Sequence, residues 1–199
     1  MKNIEKRLIE RLIINNYKIF HISDVRDLGT HHYLMTTIYN LKKEGWIKKL
    51  NSDGYYEFLG INYYDNLYCP ASGQDIANFI MRKFKWRLVP AGDYAMAIMG
   101  VGRECEEYCY ISDKKDLRVE LNNSLLLIER VDRSLFEKYS YNTLLVLEVL
   151  KAIGIKDITD DHLRIISKKL WRKEKEILYQ EIKDIKSKFK ECLLYICRH

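Results

Sequence analysis

Between Phe20 and Phe58 the chain sets short helical patterns, glycine stops and a basic extended pair in an order that few folds accommodate. Phe20 and Ile22 read as a short extended segment. Ser23 stands where it would cap a short helix running through Leu28. Asp24 falls in the first turn of that helix, where the dipole favours a carboxylate, and Gly29 closes it. Thr30 then caps a second helix, His31 to Glu44, stopped by Gly45. Trp46 to Leu50 and Tyr55 to Phe58 read as two strands joined by the turn residues Asn51-Ser52-Asp53-Gly54. Upstream, Ile4, Leu8, Ile9, Leu12 and Ile13 form an apolar stripe at helical spacing, ended by Asn15 and Asn16. A helix, a short strand, two helices and a hairpin, in that order, spell a winged helix-turn-helix, whose last helix is sized for the major groove.

In the helix 31–44, Leu34, Thr37, Ile38 and Leu41 share a face that packs inward. The other face carries His32, Thr36, Tyr39 and Lys43, flanked by Tyr33 and Asn40, all side chains that suit base edges and phosphates. The candidate DNA contacts are therefore His31, His32, Tyr33, Thr36, Asn40 and Lys43. Lys48 and Lys49 of the wing join them as phosphate contacts, which add affinity without sequence preference. Two other readings stand beside this one: a plain solvated helix face, and a winged helix that docks a protein.

Charge supports the first reading. The formal net charge is +6, unevenly spread. Residues 1–60 hold 10 Lys/Arg against 7 Asp/Glu, residues 61–160 hold 13 against 15, and residues 161–199 hold 11 against 6. A basic head followed by a near-neutral body fits a DNA-binding domain, 1–60, and a mixed α+β domain, 61–199, that ends in a helical segment. The whole is expected to be α+β. The five cysteines, an odd number without an evident leader, fit a reducing cytoplasm better than a disulfide framework, and no stretch has the length of a membrane span.

In the body, Ser72 caps a helix from Gly73 to Lys83 whose buried face is Ile76, Ala77, Ile80 and Met81. Trp86, Leu88 and Val89 read as a strand ended by Pro90, followed by a small-residue helix that ends at Gly100. Glu107 to Ile111, Leu117 to Leu121 and Leu125 to Val131 read as strands joined by tight turns. Helices are expected at 134–153, 159–171 and 173–196. In the last, Leu178, Ile182, Ile185, Phe189, Cys192 and Ile196 make a heptad-like seam. Packing on its own domain is the favoured use of that seam, so the chain is read as a monomer or weak dimer.

No catalytic constellation stands out, and the chain is read as a non-enzyme without cofactor or metal. Cys105 and Cys109 lack the paired spacing and additional ligands of a zinc site and are read as buried thiols. Gly100-Val101-Gly102 lacks the strand–turn–helix setting of a phosphate loop. Glu104, Glu106 and Glu107 are read as a solvated run.

From about Ile22 to about Leu170 the chain resembles the AbiEi-type antitoxins of type IV toxin–antitoxin systems, in the branch with both head and body. In the head the resemblance rests on Ser23-Asp24-Val25, Leu28-Gly29, Leu41-Lys42-Lys43-Glu44-Gly45 and Gly54-Tyr55-Tyr56. In the body it rests on Pro70, Ile76-Ala77, Trp86 through Pro90-Ala91-Gly92, Ala95, Met99-Gly100-Val101 and a hairpin at Tyr110-Ile111-Ser112-Asp113. The resemblance implies a head that binds inverted repeats in its own promoter and represses its operon. It also implies a body that opposes a nucleotidyltransferase-like toxin, usually without a stable complex, and no enzymatic activity or cofactor. One departure matters. The family's wings carry arginine near the Gly-x-Tyr end, whereas here Lys48 and Lys49 precede an Asn-Ser-Asp tip. Lysine cannot make arginine's bidentate guanine contact, so the wing is expected to hold phosphates only.

Overall fold

In a computed structural model, the residues described are 3–15, 17–50, 54–59, 71–120, 125–185 and 188–199. They form an α+β protein with nine α-helices and two small sheets among the described residues. The chain divides into two compact units, Met1–Lys83 with Val119–Ser124, and Phe84–Arg118 with Leu125–His199. The first unit thus runs past residue 60 and takes in a helix that the sequence reading placed in the second domain.

The first unit begins with α1 (Asn3–Ile14), which buries Leu8, Ile9 and Leu12, and β1 (Ile19–His21). Two 3-10 turns, Ile22–Asp24 and Arg26–Leu28, replace the expected helix from Ser23 to Leu28. The cap is His21, not Ser23: its Nδ1 accepts from the Ser23 amide, while its own amide donates to Asp24. Gly29 is extended rather than left-handed, with φ 170°. Its missing side chain has another use, because a Cβ there would come within 2.9 Å of Ile4 Cδ1. Next come α2 (His31–Lys43), stopped at left-handed Gly45, then β2 (Ile47–Lys49) and β3 (Tyr55–Phe58). The expected wing tip, Asn51 to Asp53, lies outside the described residues, as do residues 60–70, with Cys69 and Pro70.

The three strands form one antiparallel sheet in the order β1-β3-β2. Residues opposite one another share a face. Phe20, Tyr56 and Ile47 look toward the helices, packed with Leu8, Leu12, Leu34, Ile38 and Leu41 in one core. The other face carries Ile19, His21, Tyr55, Glu57 and Lys48, and α3 (Gly73–Phe84) lies over it. Four contacts fix α3 there. The Phe79 ring meets Tyr55 edge-on, Lys18 pairs with Asp75 at 3.7 Å, Lys83 pairs with Asp24, and the Ala71 amide donates to Glu57 at 2.7 Å. Glu57 is only 2% exposed, so this amide is a needed partner for a buried carboxylate. Ser72 caps α3 as expected, with Ser72 and Asp75 each accepting the other's amide.

β4 (Val89–Pro90), β5 (Glu107–Ser112), β6 (Leu117–Glu120) and β7 (Leu125–Arg130) form the other sheet, in the order β4-β5-β7-β6. The expected hairpin after Tyr110-Ile111-Ser112-Asp113 does not form. β5 instead pairs in parallel with β7, Glu107 opposite Leu125 through Ser112 opposite Arg130, and β6 takes the edge. Between β4 and β5 runs α4 (Gly92–Met99), ended at left-handed Gly100. Gly102 lies so close to this helix that a Cβ would sit 2.7 Å from Met96 Cβ. Packing, not phosphate binding, accounts for the Gly-Val-Gly run.

The expected helix 134–153 is two, α5 (Arg133–Lys138) and α6 (Tyr141–Ile153). Ser140 starts the second: its side chain accepts the Thr143 amide, and its own amide donates to the Glu181 carboxylate at 3.0 and 3.2 Å. After α7 (Asp160–Lys169), the expected long last helix is α8 (Arg172–Glu181), a 3-10 turn and α9 (Lys190–Arg198). Leu178, Ile182, Ile185, Phe189 and Ile196 are all buried with Ala95, Leu150 and Ile166 in the second unit's core, which is the packing use of the heptad-like spacing. Cys105, Cys109, Cys192 and Cys197 are half-buried rather than buried, and burial raises each thiol's pKa. No helix among the described residues is long and apolar enough to cross a membrane.

Candidate nucleic-acid interface

The outer surface of α2 follows from the 3.6-residue period. With Leu34, Thr37, Ile38 and Leu41 buried, the positions between them turn outward. His31, His32, Tyr33, Thr36 and Lys43 are exposed together on that surface. Thr36 donates its hydroxyl to the His32 carbonyl at 3.0 Å, leaving its methyl as the group suited to a thymine methyl. Met35, and Tyr39 at 66% exposure, share the surface. Tyr39 was visible in the helical pattern, whereas Met35 carried no signal because it falls beside the face counted as polar.

Asn40 behaves differently. It is half-buried, and its amide donates to Glu5 Oε1 of α1 at 3.2 Å. Glu5 is 4% exposed. Together with His32, Tyr33, Thr36 and Thr37 the pair lines a cleft of about 170 Å³. Asn40 thus serves the join between α1 and α2. Nothing in the local sequence of α2 signals this, because Glu5 lies 35 residues away.

Lys48 and Lys49 separate in the same way. Adjacent strand residues point to opposite faces. Lys49 is exposed and stands opposite Tyr56, while Lys48 is half-buried opposite Glu57, on the face that α3 covers. Only Lys49 is presented to solvent without that acidic neighbour. On α1, Arg11 grips Asp27 with two hydrogen bonds, 2.7 and 3.1 Å, and so ties the first helix to the second 3-10 turn. The hydrogen bond from Arg11 holds the Asp27 carboxyl below its ordinary range. The surface that remains for an anionic partner is His31, His32, Tyr33, Thr36 and Lys43 with Lys49.

Among the described residues no group of three or more His, Cys, Asp or Glu side chains is placed to hold a metal ion. Glu104, Glu106 and Glu107 are exposed.

An open three-stranded sheet with helices on both faces defines the first unit as a small α+β unit. No protein-family model matches the chain, and no curated protein matches it. Among solved structures it is similar to the crystal structure of the RV2827C protein from Mycobacterium tuberculosis. That likeness has a TM-score of 0.50 at 15% identity and covers 98% of this chain and 72% of the other. At that identity it speaks to the fold alone.

Proposed function

We propose that the chain is a DNA-binding transcriptional autorepressor and antitoxin of a type IV toxin–antitoxin (abortive infection) system, working in the cytoplasm against a nucleotidyltransferase-like toxin. The observation that carries the reading is the element order of the first unit. Helix, strand, two short turns, helix and a two-strand return, with sheet order β1-β3-β2, is the order of a winged helix-turn-helix. In that arrangement α2 is the recognition helix, with His31, His32, Tyr33 and Thr36 toward base edges and Lys43 and Lys49 on phosphates. The motifs of the AbiEi resemblance supply the antitoxin part of the reading, which assigns no catalysis and no cofactor to the chain. A gel-shift titration against the chain's own upstream DNA, with its inverted repeats, tests the repressor. Binding no tighter than to random DNA ends it. Co-expression with a neighbouring nucleotidyltransferase-like gene tests the antitoxin, and unchanged toxicity ends that part.

The exposed Tyr33, Met35 and Tyr39 favour one second reading, a winged-helix module that docks a protein partner directly. Co-elution of the chain with that neighbouring product in size-exclusion chromatography supports docking. Separate elution supports a repressor and antitoxin that acts without a stable complex, as a monomer or weak dimer.

A further inference from the structure

At the corner between α7 and α8 three residues break local rules at once. Trp171 occupies the N-cap of α8, yet an indole has only a donor and cannot accept the amides that a Ser or Asp there would satisfy. Its side chain is also 79% exposed, although Trp is among the side chains that gain most from burial. Arg172 and Lys173 stand in the first turn of α8, where the helix dipole disfavours cations. Glu174 takes up the Trp171 amide and Glu176 pairs with Arg172, but among the described residues nothing covers the indole or pairs with Lys173, and an uncompensated break of local rules marks a candidate functional surface.

The surroundings are basic. Lys168 and Lys169 end α7, and Arg164 lies one turn earlier on the same side as Lys168. All five cations are exposed. Arg164 pairs with Asp161 and Arg172 with Glu176, while Glu174 is taken up by the Trp171 amide and by Asn142. Lys168, Lys169 and Lys173 have no ion-pair partner among the described residues. The Lys169 stem instead lies within 3.5 Å of where a Cβ on Gly100 would stand, so its position is set by packing.

An exposed indole within three residues of three exposed lysines that have no ion-pair partner among the described residues fits one ligand chemistry best. Duplex DNA would use the cations but keep its bases stacked away from the ring. An acidic peptide would use the cations and leave the ring idle. An unpaired nucleotide segment uses both, a base on the indole face and phosphates on the lysines. We propose that this corner is a single-strand nucleic-acid contact on the second unit: an unpaired base stacks on Trp171 while Lys168, Lys169 and Lys173 hold the flanking phosphates. The contact stands whether or not the head reads duplex DNA.

The test is fluorescence anisotropy of the full-length protein with labelled oligo-dT and oligo-U, competed by unlabelled duplex and by polyglutamate. Trp171→Ala is expected to weaken single-strand binding about tenfold, and Trp171→Phe to keep most of it. Lys168→Ala with Lys169→Ala should flatten the salt dependence. Duplex binding by the head should be unchanged in all three variants, and matching melting curves establish that they fold. Equal single-strand affinity of Trp171→Ala and wild type overturns the proposal. So does loss of single-strand binding on Lys49→Ala alone, which would place the contact on the head, or equally strong competition by polyglutamate, which would make the corner an acidic-protein contact.

Discussion

Asn40 separates a base-reading residue from a structural one. Its amide serves Glu5, so Asn40→Ala is expected to cost about 1 kcal/mol of stability and to leave the ratio of operator to random-DNA affinity unchanged. A fall in that ratio would return Asn40 to the reading surface. Asp113 offers a test by pH. Burial alone would raise its carboxyl, but Lys114 at 3.2 Å and Arg87 at 3.6 Å outweigh burial and hold it below its ordinary 3.8. A depressed value means that the stabilisation is fully present above the unfolded value and is lost as pH falls through the folded one. Asp113→Asn should therefore flatten the decline in stability below about pH 4, read by urea unfolding across pH. An unchanged acid limb would contradict the assignment.

The wing strand makes a prediction of its own, because alternation puts its two lysines on opposite faces. Lys49→Ala should lower the slope of log affinity against log salt by about 1, the release expected for one phosphate. Lys48→Ala, opposite Glu57 and on the α3 face, should leave that slope unchanged. Equal effects of the two would show that the strand twists away from this register. At this scale much was legible beforehand. The bounds of α2, α3, α4 and β3 follow from periodicity, caps and glycine stops, all local signals. What was not legible depended on partners far along the chain. Ser140 splits a continuous helical pattern where its side chain accepts the Thr143 amide and its own amide donates to Glu181, and the half-buried Lys48 falls on the sheet face that also holds Glu57. His21 displaced Ser23 as cap because an imidazole nitrogen accepts as well as a hydroxyl.

For the whole molecule, the difference lies in pairing and boundaries. β5, β6 and β7 were visible as strand-forming runs, whereas the expected strand Trp86–Val89 ended by Pro90 is the two-residue β4, Val89–Pro90; parallel pairing of β5 with β7 leaves no mark in either run. The boundary near residue 60 followed a change in composition, whereas the contacts of α3 with Tyr55, Glu57, Lys18 and Asp24 draw the first unit out to Lys83. A fragment of residues 1–84 should unfold cooperatively. A fragment of residues 1–60 should not, since it bares the sheet face that holds Ile19 and buried Glu57. Equal cooperativity of the two by circular dichroism would return the boundary to residue 60. Of the candidate contacts, His31, His32, Tyr33, Thr36, Lys43 and Lys49 are exposed, while Asn40 and Lys48 are half-buried.

The central claim is that the outer face of α2 reads duplex DNA. Its most direct test is the affinity of the full-length protein for its own upstream duplex against a scrambled duplex, over a salt series, for wild type and for His32→Ala with Thr36→Ala. The account expects clear preference for the upstream duplex, lost in the double variant, with the salt slope kept. Equal affinity for both duplexes in the wild type would contradict it.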